Sequence, residues 1–308
     1  MNRVQLNNIK GVIPALVTCF NENGEYDEKR QRKITSNLID RGVHGLYITG
    51  STGECFMMTP DERKKVVEDV IDEAKGRLPI IVHVGAIATK ISIDLAEHAE
   101  KAGADVISSI TPFYWKFSEA QIFNYYRDIA GSVNLPMVVY NNSLAGAVGL
   151  NFIKSLATIE GVKGIKYTLN TSFEILRIKE EIGKDFVVFS GADEMAIAGL
   201  SFGADGIIGS TYNLIPEPFI DIYKALKDGD LKKAQEKQRI ANAIIMFLLE
   251  WSFNSGIKAG MQWMGVDAGW CREPFGRFDK STEEKFLEEL RQLKKKLGIS
   301  GIPFLDKL

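Results

Sequence analysis

Three cysteines and three histidines in 308 residues leave little material for a disulfide framework or a metal centre. Cys19, Cys55 and Cys271 are an odd set, far apart and without a CxxC pair, so neither a stapled secreted scaffold nor a zinc spacing is indicated. His44, His83 and His98 stand on separate segments, and none pairs with another ligand type in a known metal spacing; no metal is expected. An excess of charge is also missing. Lys and Arg number 38 against 40 Asp and Glu, for a net charge of −2, and no long basic block suggests a nucleic-acid or anionic-membrane surface. The short run Lys294-Lys295-Lys296 reads as a solvated helix end. The longest apolar stretch, 243–249, falls far short of the roughly 20 residues of a membrane helix. The start Met1-Asn2-Arg3-Val4-Gln5 has no apolar core of a secretory leader. The expectation is a cytoplasmic protein with neither nucleic acid nor membrane as partner. What is present, 45% hydrophobic and 25% charged residues, is the composition of a folded protein with a large core.

Apolar, β-branched runs recur at 12–19, 45–49, 79–84, 105–110, 136–140, 162–168, 186–190 and 205–209. Helical signals lie between them. Thr59-Pro60-Asp61-Glu62 and Ser118-Glu119-Ala120-Gln121 are capping boxes, the first with proline at the opening helical position. Gly42, Gly76, Gly103 and Gly183 read as left-handed helix C-caps. Strands this continuously apolar are buried on both faces, which points to a parallel sheet covered by helices. Eight repeats in about 210 residues favour the α/β class as a closed (β/α)8 TIM barrel over the open doubly wound sheet. Beyond the eighth unit, 216–227, 231–250 and 281–297 are helical with no further strand, Ser281-Thr282-Glu283-Glu284 capping the last. The division expected is a barrel over 1–228 and a helical extension packed on it over 229–308.

The sixth run contains a lysine in an unusual place. In Val162-Lys163-Gly164-Ile165-Lys166-Tyr167-Thr168 the two lysines are three apart, so alternation sends them to opposite faces and one points inward. Apolar surroundings disfavour the charged amine and make the neutral nucleophile available for attack on a ketone carbonyl. In barrels of this kind the chemistry sits at the carboxyl ends of the strands. The polar residues there are Gly50-Ser51-Thr52-Gly53-Glu54, Tyr140-Asn141, Lys166-Tyr167-Thr168, Gly191-Ala192-Asp193-Glu194 and Gly209-Ser210-Thr211. Glycines and hydroxyls in the first segment suit a carboxylate, although a plain strand-to-helix turn uses the same residues. Tyr140 is either a core aromatic or a proton shuttle opposite the lysine. Asp193 and Glu194 are either helix caps or acceptors for a polyol. The segment 203–210 resembles strand-eight phosphate loops, which keeps phosphosugar or flavin binding open. Phe113, Tyr114 and Trp115 suit packing at an interface or over the mouth.

Five motifs in order, Gly50-Ser51-Thr52-Gly53-Glu54, Thr111-Pro112-Phe113-Tyr114, Val139-Tyr140-Asn141, Gly164-Ile165-Lys166-Tyr167-Thr168 and the run from Gly203 to Asn213, resemble the pyruvate-dependent class I aldolase family that contains N-acetylneuraminate lyase and dihydrodipicolinate synthase. The likeness runs from Gly11 to about Gly276, and its details are most similar to the sialic-acid branch. By that resemblance Lys166 forms an imine with C2 of a keto acid, and Ser51 and Thr52 hold the carboxylate. Tyr140 relays the C4 hydroxyl proton, while Thr168, Gly191, Asp193, Glu194 and Ser210 grip the hydroxylated tail. The resemblance implies cleavage of N-acetylneuraminate to N-acetylmannosamine and pyruvate without a cofactor, in a homotetramer where Tyr114 is lent to a neighbouring subunit. The synthase branch carries an arginine five residues beyond the tyrosine; here that position is Ala145, and 141–150 has no cation, which argues against a dicarboxylate substrate. The family's proline three residues after the tyrosine is Ser143 here, so a differently shaped loop over 142–146 is expected, and with it room for another 2-keto sugar acid.

Overall fold

The computed structural model describes residues 3–307; Met1, Asn2 and Leu308, at the two ends of the sequence reading, lie outside the described residues. Eight parallel strands, β1 (Gly11–Pro14), β2 (Leu46–Ile48), β3 (Ile80–His83), β4 (Val106–Ile110), β5 (Met137–Asn142), β6 (Val162–Thr168), β7 (Val187–Ser190) and β8 (Gly206–Gly209), form one sheet in the order β1-β8-β7-β6-β5-β4-β3-β2. The two ends of that order meet: Ala15 bridges Tyr47 in parallel, and the Leu16 N–H donates to the Tyr47 carbonyl at 2.8 Å. The eightfold alternation is therefore a (β/α)8 barrel, as the sequence pattern predicts. Alternation along each strand separates two apolar layers. Ile13, Tyr47, Ile81, Val106, Val138, Val187, Phe189 and Ile208 fill the barrel interior, with Leu6 and Ile9 of the leading segment packed among them. The opposite faces of the strands meet the helices in a second, larger core.

The helices of the eight units are α1 (Glu28–Asp40), α2 (Pro60–Ala74), α3 (Thr89–Ala102), α4 (Glu119–Ala130), α5 (Leu150–Leu156), α6 (Phe173–Ile182), α7 (Ala196–Ser201) and α8 (Pro216–Lys227). Both reciprocal capping boxes form, at Thr59 with Glu62 and at Ser118 with Gln121. The extension follows as α9 (Leu231–Glu250), α10 (Phe253–Trp263), α11 (Lys280–Leu297) and the short α12 (Pro303–Asp306), joined by aromatic packing of Phe247, Trp251, Trp263 and Phe278 around Phe286. No single helix among the described residues is long and apolar enough to cross a membrane.

Several local expectations are corrected. The run 12–19 is strand only to Pro14, because side chains replace the ladder beyond it: Val17 N–H donates to Asn213 Oδ1 at 3.1 Å and Cys19 N–H to Gln31 Oε1 at 3.0 Å. In the other direction, β5 runs on past Tyr140 to Asn142, which pairs with Thr168. The last long helix is capped by Asp279, whose carboxylate accepts from the Thr282 N–H at 2.7 Å, which leaves Ser281 inside the first turn. Gly183 follows α6 at φ 131 and ψ 157, a region open to glycine but not the left-handed helical cap that Gly103 adopts at φ 99 and ψ 26. Lys294 is half-buried, and its ammonium donates to the Leu305 carbonyl at 2.6 Å, so the basic run is not wholly solvated.

Candidate active site

Lys163 and Lys166 part as alternation requires: the first is exposed and the second is 5% exposed, with its side chain in the barrel. Gly164 precedes Lys166 on the inner face and keeps that layer thin, since a Cβ there would press against the Val187 backbone. Tyr140 is the ladder partner of Lys166 on β5 and shares its face. The lysine Nζ lies 4.2 Å from the Tyr140 ring centroid and 4.5 Å from that of Tyr47, so two π-faces enclose the amine. His83 completes this floor edge-on to Tyr140, with centroids 6.1 Å apart. Its Nδ1 faces the Thr49 carbonyl at 3.0 Å and its Nε2 accepts the Ile110 N–H at 3.2 Å, which settles the tautomer. Burial, then the Arg63 charge, holds this imidazole well below the usual histidine range, so it packs as a neutral ring.

Above this floor the strand ends converge. Thr52 and Ser210, 158 positions apart, join through their hydroxyls at 2.6 Å and tie the β2 turn to the β8 turn. Gly191 has no side chain for a steric reason, because a Cβ would overlap Thr168 Oγ1 and crowd Lys166 Cε. Thr168 Oγ1 itself is buried without a hydrogen-bond partner among the described residues. Ser51, Thr52, Tyr140, Lys166, Thr168, Gly191 and Ser210, all predicted site residues, line one cavity of about 320 Å³ together with Asn142, Leu144, Ile208, Asn254 and Phe275. That volume falls in the range of small-molecule sites.

Three predicted residues stand elsewhere. The Asp193 carboxylate is buried behind the wall, where Oδ2 accepts from the Thr211 N–H at 2.9 Å and the Thr211 hydroxyl at 2.6 Å. Neither it nor the half-buried Glu194 lines the cavity, and Glu194 is held through its backbone carbonyl by Asn242 Nδ2 at 3.1 Å. Tyr114 is 83% exposed with φ 81 and stacks edgewise on Trp115, away from the cavity of its own chain. Burial pushes Asp193 up to about 6 from 3.8, against the opposing pull of the Thr211 donors. The folded state therefore binds this proton more tightly than the unfolded chain, and stability falls as pH rises from about 4 through about 6. Replacing Asp193 with Asn is expected to remove that dependence, so the variant gains on the parent by up to about 3 kcal/mol across this window. Urea unfolding of both proteins at pH 4, 5, 6 and 7 checks it; a constant difference refutes it.

Sequence reasoning missed the residues that reach the site from far away. Asn254 opens α10 and Phe275 lies in the loop before α11, so the C-terminal extension walls the cavity as well as packing on the barrel. The buried partner of Glu54 is a larger omission. Glu54 sits at φ 56, is almost fully buried, and accepts from Lys258 Nζ at 2.6 Å and the Arg272 N–H at 2.7 Å. Lys258 lies in α10, a helix the sequence reading did not mark, so the lysine went unnoticed with it. The thiols offer no competing nucleophile: all three are buried, and burial pushes Cys55 and Cys271 up to about 11. No group of three or more His, Cys, Asp or Glu side chains converges into a metal-sized cluster among the described residues.

A polar cavity at the carboxyl ends of eight parallel strands is the construction of a (β/α)8 barrel enzyme. The chain belongs to the dihydrodipicolinate synthetase family, whose model matches residues 8–293. It is 40% identical to the N-acetylneuraminate lyase of Escherichia coli (strain SMS-3-5 / SECEC) over 294 residues, which is 94% of this chain and 97% of that one. Among solved structures it is similar to a catalytic lysine mutant of the Ruminococcus gnavus sialic acid aldolase, at TM-score 0.89 and 30% identity over 95% of this chain and 99% of that one. It is also similar to a Clostridium difficile protein crystallised in complex with mannosamine, at TM-score 0.89 and 32% identity, covering 94% and 99%.

Proposed function

We propose that this protein is an imine-forming aldolase that reversibly cleaves N-acetylneuraminate to N-acetylmannosamine and pyruvate. The observation that carries the reading is a single buried amine between two aromatic faces at the base of a polar cavity, in a chain 40% identical to an N-acetylneuraminate lyase. Lys166 Nζ adds to C2 of the open-chain keto acid and the C2 oxygen departs as water, which leaves an iminium. The C3–C4 bonding pair then flows toward that nitrogen while the C4 hydroxyl becomes the aldehyde of the amino sugar. Tyr140, beside the lysine on the next strand, is the group placed to relay the C4 proton. Protonation of the enamine and hydrolysis of the imine release pyruvate and free the lysine. Ser51 and Thr52 hold the carboxylate. Thr168, Gly191 and Ser210 contact the hydroxylated tail, and the unpartnered Thr168 hydroxyl would find its acceptor there. Asp193 and Glu194 support this wall from behind, Asp193 by fixing the β8 turn through Thr211.

Supply of N-acetylneuraminate with a lactate dehydrogenase coupled readout tests the reading: release of pyruvate is expected, and silence sinks the assignment. Tyr140→Phe is expected to slow cleavage by about 100-fold while borohydride still traps pyruvate on the protein, as for the loss of one general acid/base. A near-normal rate would refute its role. A second reading, another 2-keto-3-deoxy sugar acid, is favoured by the 142–146 segment, where Leu144 is 82% exposed yet lines the cavity and serine stands at 143. The protein is further proposed to work in the cytoplasm as a homotetramer. Exposed Tyr114, Trp115 and Leu144 at the cavity end of the barrel support a contact between copies there, and light scattering on the purified protein tests it.

A further inference from the structure

We infer that Asn142 is a positioning residue for the Tyr140 hydroxyl, a role that rests on the lyase reading above. Asn142 ends β5, two positions beyond Tyr140, so both side chains stand on the barrel-facing side in successive layers. Its Nδ2 lies 2.7 Å from the Tyr140 hydroxyl, and the two residues are 6% and 4% exposed. The orientation of the amide is decided by its other end. Asn142 Oδ1 accepts from the Leu144 N–H at 2.9 Å, and only the oxygen can do that, so the nitrogen must face the tyrosine. Nδ2 is a pure donor, and the phenolic oxygen is therefore the acceptor. The single proton of Tyr140 is not spent on Asn142 and is left for the reaction. When that proton has been given up, the same N–H donates to a phenolate, and the contact becomes a charge-assisted one. One donor thus holds the oxygen in place through both halves of a proton relay.

The arrangement also couples the tyrosine to the turn that follows it. Asn142 is the N-cap of the 3-10 turn Ser143–Ala145, and the Ala145 carbonyl is held by the Thr111 hydroxyl at 3.1 Å. In a chain with serine rather than proline at 143, this cap is what shapes the start of the loop, and its amide spans from the turn to the hydroxyl. Capping alone is the competing account of Asn142, and it predicts no dependence on Tyr140.

Asn142→Asp separates the two. Aspartate keeps an acceptor for the Leu144 N–H but loses the donor, and its carboxylate would draw the phenolic proton to itself. The expected result is a kcat about tenfold lower, the rate equivalent of about one hydrogen bond, with KM little changed. In the Tyr140→Phe background the same change is expected to cost less than about twofold, because the group it acts through is gone. An undiminished tenfold loss in that background overturns the inference, as does a loss confined to KM or an unchanged kcat in Asn142→Asp alone. Borohydride trapping of pyruvate distinguishes the failure of the lyase reading: no adduct on the wild-type protein defeats that reading by itself. The contact is then decided without substrate, by urea unfolding of Asn142→Ala, Tyr140→Phe and the double variant. Midpoint losses that fall short of additive are expected, and full additivity overturns the inference.

Discussion

Lys166→Ala is expected to leave no measurable release of pyruvate from N-acetylneuraminate and no borohydride-trapped adduct, while the protein remains folded. The amine is the only part of that side chain the mechanism uses, and no neighbour is placed to replace it. Tyr47 and Tyr140 present ring faces to it, His83 is held neutral with both nitrogens engaged, and the cysteines are buried and inert. Folding should survive because Lys166 forms no ion pair among the described residues whose loss would strand a partner; its contacts are π-faces and the open cavity. Lys163→Ala is the matched control, three positions away on the exposed face, and is expected to behave as the parent. Steady-state kinetics with intact-mass analysis of the trapped protein read both variants. Substantial residual kcat in Lys166→Ala, or an adduct that persists in it, would remove the nucleophile from this lysine.

The second large effect lies outside the cavity. Lys258→Met is expected to lower stability by about 3–5 kcal/mol, the usual consequence of removing one partner of a buried ion pair. Lys258 and Glu54 are both almost wholly enclosed, with side chains 2% and 0% exposed. Lys258 Nζ also donates to the Trp270 carbonyl at 2.6 Å and lies 4.8 Å from the Phe20 ring centroid. Methionine fills a similar volume but takes the counter-charge from the Glu54 carboxylate, which keeps the neutral Arg272 N–H donor in a buried site. Glu54 immediately follows Gly50–Gly53 in a left-handed conformation, so its loss of anchorage is expected to reach the turn that carries Ser51 and Thr52. Activity should therefore fall through a raised KM for pyruvate in the synthetic direction. The double variant Glu54→Gln, Lys258→Met removes the stranded charge and is expected to recover a large part of the stability. Urea unfolding of the two single variants and the double decides the matter, and equal losses in Lys258→Met and the double would show that charge burial is not the cause.

Much of this protein was legible from periodicity. The eight strands, the helices between them, both capping boxes and the opposite facing of Lys163 and Lys166 follow from side-chain alternation and local hydrogen bonding, which act over a few residues and leave a readable pattern. The convergence of Ser51, Thr52, Tyr140, Thr168, Gly191 and Ser210 on one mouth also follows, once eight parallel strands are recognised, because their carboxyl ends must share one face. The errors were local as well. β1 ended early and β5 late because backbone groups there are satisfied by side chains from Asn213 and Gln31, or by pairing with Thr168, and none of these partners is a neighbour in sequence.

By itself, then, the sequence determined the architecture and that one lysine of the sixth strand points inward, since both depend on short-range repetition of apolar and polar residues. Only the tertiary structure decided which polar groups reach the cavity and which stand behind it. Asp193 is turned away because Thr211, 18 positions on, supplies two donors; Asn254 and Phe275 enter from the extension; and Glu54 meets Lys258 across 204 positions. Those outcomes are set by competition among distant partners for buried hydrogen bonds and charge, and such competition is resolved only when the chain has closed on itself.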